Sequence, residues 1–327
     1  MRIADWANRS GMDVSLFSVT PGNQALSPRW DRLVKASRKY NFTCWAQQQD
    51  FVLWTHTPIF EQVSWAHRYG RATAIFCLWH ELTAEARRAY REVGAIITPS
   101  YEAARFLAAR WGIHNIYAAP YDPGVPLTQK PAIPAIGRWL LLPLFDRAPH
   151  TMEGTALELV GRLLARYDDV YMTIAYNSST LMPFAKRRLA QFNKAFPGRV
   201  VLMAGCTLAE RPVLFAQHDL TLWPTHAENT GHLGLTSLAM GTPVVAFHFP
   251  PVTEFLCDGN ALTAPCRTAP NELGVPIPVP NYSAFEVCSQ GLLDTPGLLA
   301  QLQKTATVGL PARQKVFHEV LARCLQL

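Results

Sequence analysis

The chain has no run of about 18 apolar residues, which excludes an ordinary transmembrane helix. Its opening, "MRIADWANRSGMDV", lacks the apolar core of a secretory leader. None of the seven cysteines (44, 77, 206, 257, 266, 288 and 324) stands in a C-x-x-C pair, so zinc-ribbon and thioredoxin-type spacing are excluded. An odd count without pairing spacing reads as buried, reduced thiols, and a cytoplasmic protein is expected. Charge is also scarce: 17% of residues are charged against 49% apolar, a globular composition with ample material for a core.

The 327 residues suggest two domains. Residues 1–130 hold 15 Lys/Arg against 10 Asp/Glu, and residues 131–327 hold 15 against 14, so the basic excess lies mostly in the first part. An anionic partner there is one reading, and an ordinary solvated surface is the other.

Short apolar runs alternate with amphipathic stretches. Strands are expected at 14–19, 51–55, 73–78, 95–98, 139–144, 170–174, 199–203, 220–223 and 243–247. Helical periodicity fits 28–39, 59–69, 81–92, 100–111, 152–167, 181–196, 208–217, 230–240 and 310–325. Strands apolar on both faces and alternating with helices indicate an α/β protein with parallel sheets covered on both sides. The proline-rich segment "DPGVPLTQKPAIPAIG" (122–137) reads as a linker. The expected division is a first domain over 1–130, a second over 131–309, and a terminal helix over 310–327 that packs back on the first. In such folds ligands bind at the carboxyl ends of strands, so strand-to-helix loops carry the most weight.

One such loop opens "THAENTGHLGLTSLAMGTPVV" (225–245). It places Gly231 and Gly234 at the front of a helix, where each glycine costs about 1 kcal/mol against alanine. Bare backbone there suits an anion: the amides of Asn229, Thr230, Gly231 and His232 would be free first-turn donors, and glycine permits close approach. The plainer reading makes Asn229 or Thr230 an N-cap and Gly231 a packing residue.

This stretch resembles the donor-binding signature of GT-B glycosyltransferases, specifically the retaining, glycogen-synthase-like (glycosyltransferases group 1) family, approximately P-S-x-x-E-G-F-G-L-x-x-x-E-A-M-A-x-G-x-P-V-V. Pro224, Glu228, Gly231, Ala239, Gly241, Pro243, Val244 and Val245 match in register. "GCTLAERPVLFAQHDLTLWP" is similar to the family's upstream loop, helix and strand, with Asp219 as its acid. "PPVTEFLCDGNALTAPC", with Glu254, is similar to the downstream segment, and "AIITPSYEAARFLAARWGIHNIYAAPYDPGVP" to an earlier passage. The likeness spans roughly residues 50–265. It implies two Rossmann-like domains facing across a cleft and a nucleotide-sugar donor, with UDP the expected nucleotide.

The resemblance also implies roles. Glu228 would accept hydrogen bonds from the transferred sugar, with a dipole-favoured helix-front acid as the plainer alternative. His80, in "FCLWHEL", stands where the family has a histidine facing the donor, and His56 ends the preceding strand; both suit proton handling, although a structural histidine is the commoner case. Asn229, Thr230, Gly231 and His232 would bind the diphosphate. Arg147 fits the family's phosphate-binding arginine, or else pairs with Asp146 or Glu153. Cys206, Thr207 and Thr236 fall at nucleoside-binding positions. No D-x-D motif favours a metal-bridged diphosphate, so a metal-independent reaction without cofactor is expected, with departing charge met by amides and cations.

Four departures stand out. The family's E-G-F becomes Glu228-Asn229-Thr230, a change that backbone donation survives because amides do not depend on the side chain. Thr236 replaces the family's second glutamate, which holds the ribose. No lysine occurs near 150–153, where the family has one, and His150 substitutes only when protonated. The opening residues read as the family's first helix and second strand, so the first strand and its Gly-rich turn are missing or rebuilt in an abbreviated N-terminal domain.

For the acceptor, "SPRWDRLVKASRKY" (27–40) carries Arg29, Arg32, Lys35 and Lys39, in a region with seven of the nine tryptophans. A solvated helix face above core tryptophans is the plain reading. The functional alternatives are a hydroxymethylated pyrimidine in DNA, reached by base flipping, and an anionic membrane bearing a lipid or glycan acceptor. The stripe lacks large apolar residues, which favours DNA. No stable protein partner is implied. A non-catalytic nucleotide- or nucleic-acid-binding relative and a sugar-nucleotide epimerase are the rivals.

Overall fold

The computed structural model describes residues 49, 51–54, 60–77, 82–128, 137–145, 153–177, 183–226, 230–256 and 259–325. The chain divides into two compact units. One comprises Met1–Thr98, Ala108–Tyr117 and Leu321–Leu327; the other comprises Pro99–Leu107 and Ala118–Val320. The expected strand 14–19 and helix 28–39 lie outside the described residues.

The first unit is built on β1 (Phe51–Trp54), α1 (Phe60–Arg68), β2 (Ala72–Phe76), α2 (Ala86–Glu92) and β3 (Ala95–Thr98). Helix α3 (Tyr101–Trp111), whose residues up to Leu107 count with the other unit, and β4 (Ile116–Ala118) follow. The sheet order is β1-β2-β3-β4, with β1, β2 and β3 parallel. Each strand is added on the same side of the last, and right-handed crossovers then put successive helices on one face. The apolar run Ile75, Ile96 and Ile97 is fully buried, as a strand covered on both faces requires. Helix α2 starts five residues later than its periodicity suggests, because the Thr83 hydroxyl accepts the Ala86 N–H at 3.1 Å and fixes the first turn there.

The second unit holds the larger sheet: β5 (Arg138–Leu144), α4 (Glu153–Arg166), β6 (Val170–Tyr176), α5 (Pro183–Ala195), β7 (Val200–Ala204), α6 (Arg211–Ala216), β8 (Leu220–Trp223), α7 (His232–Ala239), β9 (Val244–His248) and β10 (Ala261–Pro265). Its order is β10-β9-β8-β5-β6-β7, with every pair parallel. The chain starts at the centre with β5, moves outward to β7, and returns across β5 to β8. The reversal of direction, the topological switch point, therefore lies between β5 and β8. Pro143 is tolerated in β5 because β8 pairs only with Leu140 and Leu141. Leu140, Leu141, Leu142, Leu144, Leu220, Leu222, Val244 and Val245 are fully buried and form the centre of the core.

Beyond β10 the unit adds an antiparallel hairpin, β11 (Arg267–Pro270) with β12 (Pro276–Val279), then α8 (Tyr282–Asp294), α9 (Pro296–Thr305) and α10 (Leu310–Leu325). The periodicity reading anticipates α10 but not β10, β11, β12, α8 or α9. Proline-rich hairpin edges hide the strand pattern, and an isolated two-stranded ribbon tolerates prolines that a central strand would not. Helix α8 is opened by Asn281, whose side chain accepts the Ala284 N–H at 3.1 Å, and α9 has Pro296 in its first turn.

Candidate functional site

The switch point directs attention to what leaves the carboxyl ends of β5 and β8. Strand β8 ends at Trp223, fully buried, and Thr225 behind it is fully buried as well. Glu228 and Asn229 lie outside the described residues; Thr230 and Gly231 lead into α7. Gly231 is the N-cap of α7, with φ +68° and ψ 20°. The first intrahelical bond is Leu235 N–H to Gly231 O at 2.7 Å, so the amides that precede Leu235 form the first turn, where a helix makes no bonds to its own carbonyls.

Both glycines have a packing reason, which is the plainer of the two readings of Gly231. A Cβ on Gly231 would stand 2.3 Å from the Phe255 ring, and its φ already disfavours any side chain. A Cβ on Gly234 would stand 2.6 Å from the Trp223 ring. Both glycines let aromatic rings lie against the helix start. The amides are thus presented by a turn wedged from below by Phe255 and Trp223, whose rings are 6.2 Å apart.

The wedge is itself anchored. Phe255 follows a single 3-10 turn, Val252–Glu254. The Glu254 carboxylate accepts from Ser100 Oγ at 2.9 Å and from the amides of Tyr101 and Glu102, each at 2.8 Å, and so caps α3. Arg313 of α10 donates to the Glu254 carbonyl at 2.6 Å, and its guanidinium lies 5.7 Å from the centre of the Phe255 ring.

His232, the first residue of α7, meets Tyr121 edge-on with ring centroids 6.0 Å apart, and Tyr121 meets Phe317 of α10 at 5.8 Å. Beside it the buried Asp122 carboxylate accepts from Gly124 N–H at 2.8 Å and Gln314 Nε2 at 3.2 Å, and lies 3.4 Å from His318 Nε2. The start of the linker segment is therefore pinned to α10.

Thr236 lies in the second turn of α7. Its side chain is 1% exposed, and its hydroxyl donates to the His232 carbonyl at 2.7 Å within α7. A threonine in a helix readily bonds the carbonyl four residues back, and here that turns the hydroxyl inward instead of offering a donor to a ribose. Cys206 and Thr207 follow β7 at its carboxyl end, after Gly205 at φ +74°. The Cys206 thiol is half-buried, and burial raises its pKa above the ordinary thiol value. Glu210 Oε2 accepts from both the N–H and the hydroxyl of Thr207 at 2.7 Å, which opens α6 and holds the glutamate below the usual carboxylate range.

Of two residues at the exit of β5, Arg211 escaped the sequence reading, and Glu153 entered it only as a salt-bridge partner for Arg147. The Arg211 guanidinium lies 4.2 Å from the centre of the Phe145 ring, which puts a cation beside the carboxyl end of β5. Glu153, in the stretch where the family has its lysine, opens α4 and is 2% exposed; a carboxylate is favoured at a helix N-terminus. No motif marks Arg211, because its place over the Phe145 ring depends on β7 and β5 lying two positions apart in the sheet, with β6 between them.

His56 and His80 follow the ends of β1 and β2 in sequence, and Arg147 follows β5. These three and Arg29, Arg32, Lys35 and Lys39 lie outside the described residues. Among the described residues, no cluster of His, Cys, Asp and Glu is arranged to hold a metal ion, and no helix is long and apolar enough to cross a membrane.

No protein-family model and no curated protein matches the chain. Solved structures do. HepE from Anabaena, in complex with UDP and glucose, superposes with a TM-score of 0.67 at 14% identity, over 99% of this chain and 89% of that one. A glycosyltransferase from Rickettsia africae gives 0.67 at 14%, over 99% and 91%. A protein from Listeria monocytogenes named as a candidate UDP-N-acetylglucosamine 2-epimerase gives 0.54 at 13%, over 82% and 73%. Such likeness is one of backbone, and by its backbone this chain has the GT-B fold, with two Rossmann-like α/β units.

Proposed function

We propose that the protein is a retaining glycosyltransferase that moves a sugar from a UDP-sugar to a hydroxyl acceptor. The observation that carries this is the start of α7 at the switch point of the six-stranded sheet, where first-turn amides are held by the Phe255 and Trp223 wedge. A helix start of this kind stabilises an anion, by about 0.3–1 kcal/mol when exposed and up to ~2 kcal/mol when partly buried. The leaving nucleoside diphosphate develops negative charge, and donors fixed in advance stabilise that charge without reorganising. The likeness to HepE, whose structure holds UDP and glucose, supports the same donor class.

In this reading Asn229, Thr230, Gly231 and His232 present backbone to the diphosphate, with Arg147 as the cation from the loop after β5. Arg211 joins them as a second cation. Glu228 accepts from the sugar hydroxyls, and His80 and His56 handle protons on the acceptor side. Cys206 and Thr207 border the nucleoside; Thr236 is removed from that set. The reaction needs no metal. The acceptor is a hydroxymethylated pyrimidine in DNA, held by Arg29, Arg32, Lys35 and Lys39, with a membrane lipid or envelope glycan as the alternative.

A second reading, a non-catalytic nucleotide-binding relative, is favoured by two positions: Thr236 is inward-facing where the family has an acid, and Glu153 is buried where it has a lysine. Mass spectrometry of hydroxymethylated DNA incubated with the protein and a panel of UDP-sugars separates them. A gain of one sugar unit is expected, and it should persist in chelator. No transfer and no donor hydrolysis with any acceptor would leave the non-catalytic reading, and donor conversion without acceptor would indicate an epimerase.

A further inference from the structure

Helix α5, on the outside of the six-stranded sheet, carries a charge pattern that the donor chemistry does not use. From residue 170 to residue 209 the sequence has no Asp or Glu and five Lys or Arg. One of the five, Arg199, is absorbed by the fold: its guanidinium donates to the carbonyls of Leu164, Tyr167 and Val170. The other four, Lys186, Arg187, Arg188 and Lys194, all lie on α5 and are all exposed.

Helical spacing arranges them. Ala185, Leu189 and Phe192 are buried and fix the inner face. Arg187 and Lys194, seven residues apart, then share the outermost line of the helix, with Lys186 on one flank and Arg188 on the other. Among the described residues none of the four has a carboxylate partner; Arg188 only reaches Gln191 Oε1 at 3.4 Å. The neighbouring helix α4 is the contrast. Its Arg162 pairs with Glu286 at 2.8 Å and its Arg166 with Asp294 at 3.1 Å, both acids belonging to α8. This face of the unit neutralises its other cations and leaves those of α5 open.

Between α4 and α5 runs a groove of about 540 Å³. Gly161, Ala165, Phe192, Ala195 and Phe196 line it, Arg162 and Arg188 border it, and Glu158 is the one acid among its lining residues. Cations beside an open apolar groove match an amphiphile with an anionic head.

We propose that α5 docks the protein on an anionic phospholipid surface, with Lys186, Arg187, Arg188 and Lys194 facing the headgroups and the groove receiving hydrocarbon. A lipid surface fits better than nucleic acid because the cations lie beside an open apolar groove that can receive hydrocarbon, and two of the aromatic rings lining that groove are withdrawn from solvent: Phe192 is buried and Phe196 half-buried. Four cations on flexible stems also suit a fluid array of headgroups, and together they strengthen partitioning by roughly two to three orders of magnitude. This docking rests on α5 alone and is independent of the donor reading.

The test is co-sedimentation of the full chain with vesicles of phosphatidylcholine, with and without phosphatidylglycerol, beside binding to a labelled DNA duplex. The protein is expected on the anionic vesicles only and to be released by high salt. Replacing Lys186, Arg187, Arg188 and Lys194 with Gln should lower vesicle binding by roughly 100-fold or more while the melting temperature holds. Ala195→Glu, an acid at the exposed border of the groove, should weaken binding with a single change. Wild-type protein that ignores anionic vesicles, or a quadruple variant that binds them as well as wild type, overturns the proposal. Duplex binding that depends on the four residues, without vesicle binding, replaces it with a nucleic-acid surface. Vesicle binding with no sugar transfer would leave the docking standing and sink only the enzymatic reading.

Discussion

Gly231 concentrates the constraints on the site into one residue. Alanine there would face a left-handed φ and the Phe255 ring together, so Gly231→Ala should cost about 2–4 kcal/mol, read from urea unfolding. The same variant should weaken UDP binding by calorimetry, because the ring can yield only by moving the turn that presents the amides. Unchanged UDP affinity in a folded Gly231→Ala protein would detach that turn from the donor. Thr236 predicts the opposite pattern. Thr236→Val should cost about 1 kcal/mol for the lost bond to His232 and leave UDP affinity as it was. A large loss of affinity would return Thr236 to the nucleoside site.

At the scale of elements, the fold is tied by polar contacts that connect distant segments. Glu254 caps α3 from 152 to 154 residues away in sequence, and removing that cap in Glu254→Ala should cost about 0.5–2 kcal/mol. Because Phe255 is the next residue, the variant should also raise the Kd for UDP; equal affinity would show that the wedge stands without its anchor. His218, 3% exposed, joins α6 to β6: one ring nitrogen meets the Leu214 carbonyl and the other the Thr173 hydroxyl, each at 2.7 Å. The carbonyl can only accept, so Nδ1 carries a proton, and in the neutral ring Nε2 accepts from Thr173.

Asp169 gives a pH signature at the start of β5. The hydrogen bond from Arg138, at 2.6 Å, holds its carboxyl below the ordinary Asp value. A lowered native pKa contributes stability above the unfolded value, and that contribution disappears as pH falls through the native one. Asp169→Asn should therefore shift the urea midpoint at neutral pH and lose its effect well below pH 3.8. The shift should be small, because the pair is partly exposed and solvent screens it.

For the whole molecule, nucleotide binding should appear as stabilisation. UDP at about 100 times its Kd adds about 2.7 kcal/mol to the unit that binds it. If the two units melt separately, UDP should move only the transition of the six-stranded unit. Movement of the other transition alone would place the nucleotide away from α7. Much of this architecture is legible in the residues: two-sided apolar runs such as "WLLLPL" announce buried parallel strands, and alternation with helical periodicity announces the crossovers. The hairpin and helices after β10 were not, because proline erases alternation and caps such as Asn281 are read only once the helix behind them is known.

The sequence alone determined the α/β class and the strand, loop and helix around 220–240 with two glycines at the helix front, because periodicity and local backbone preference act over a few residues. Tertiary structure decided what those glycines are for. Phe255 and Trp223 reach them from elsewhere in the chain, Glu254 and Arg313 hold that wedge from farther still, and Arg211 meets the exit of β5 only because the sheet order brings their strands close. These are contacts of shape between residues distant in sequence, and shape is settled only when the sheet is assembled.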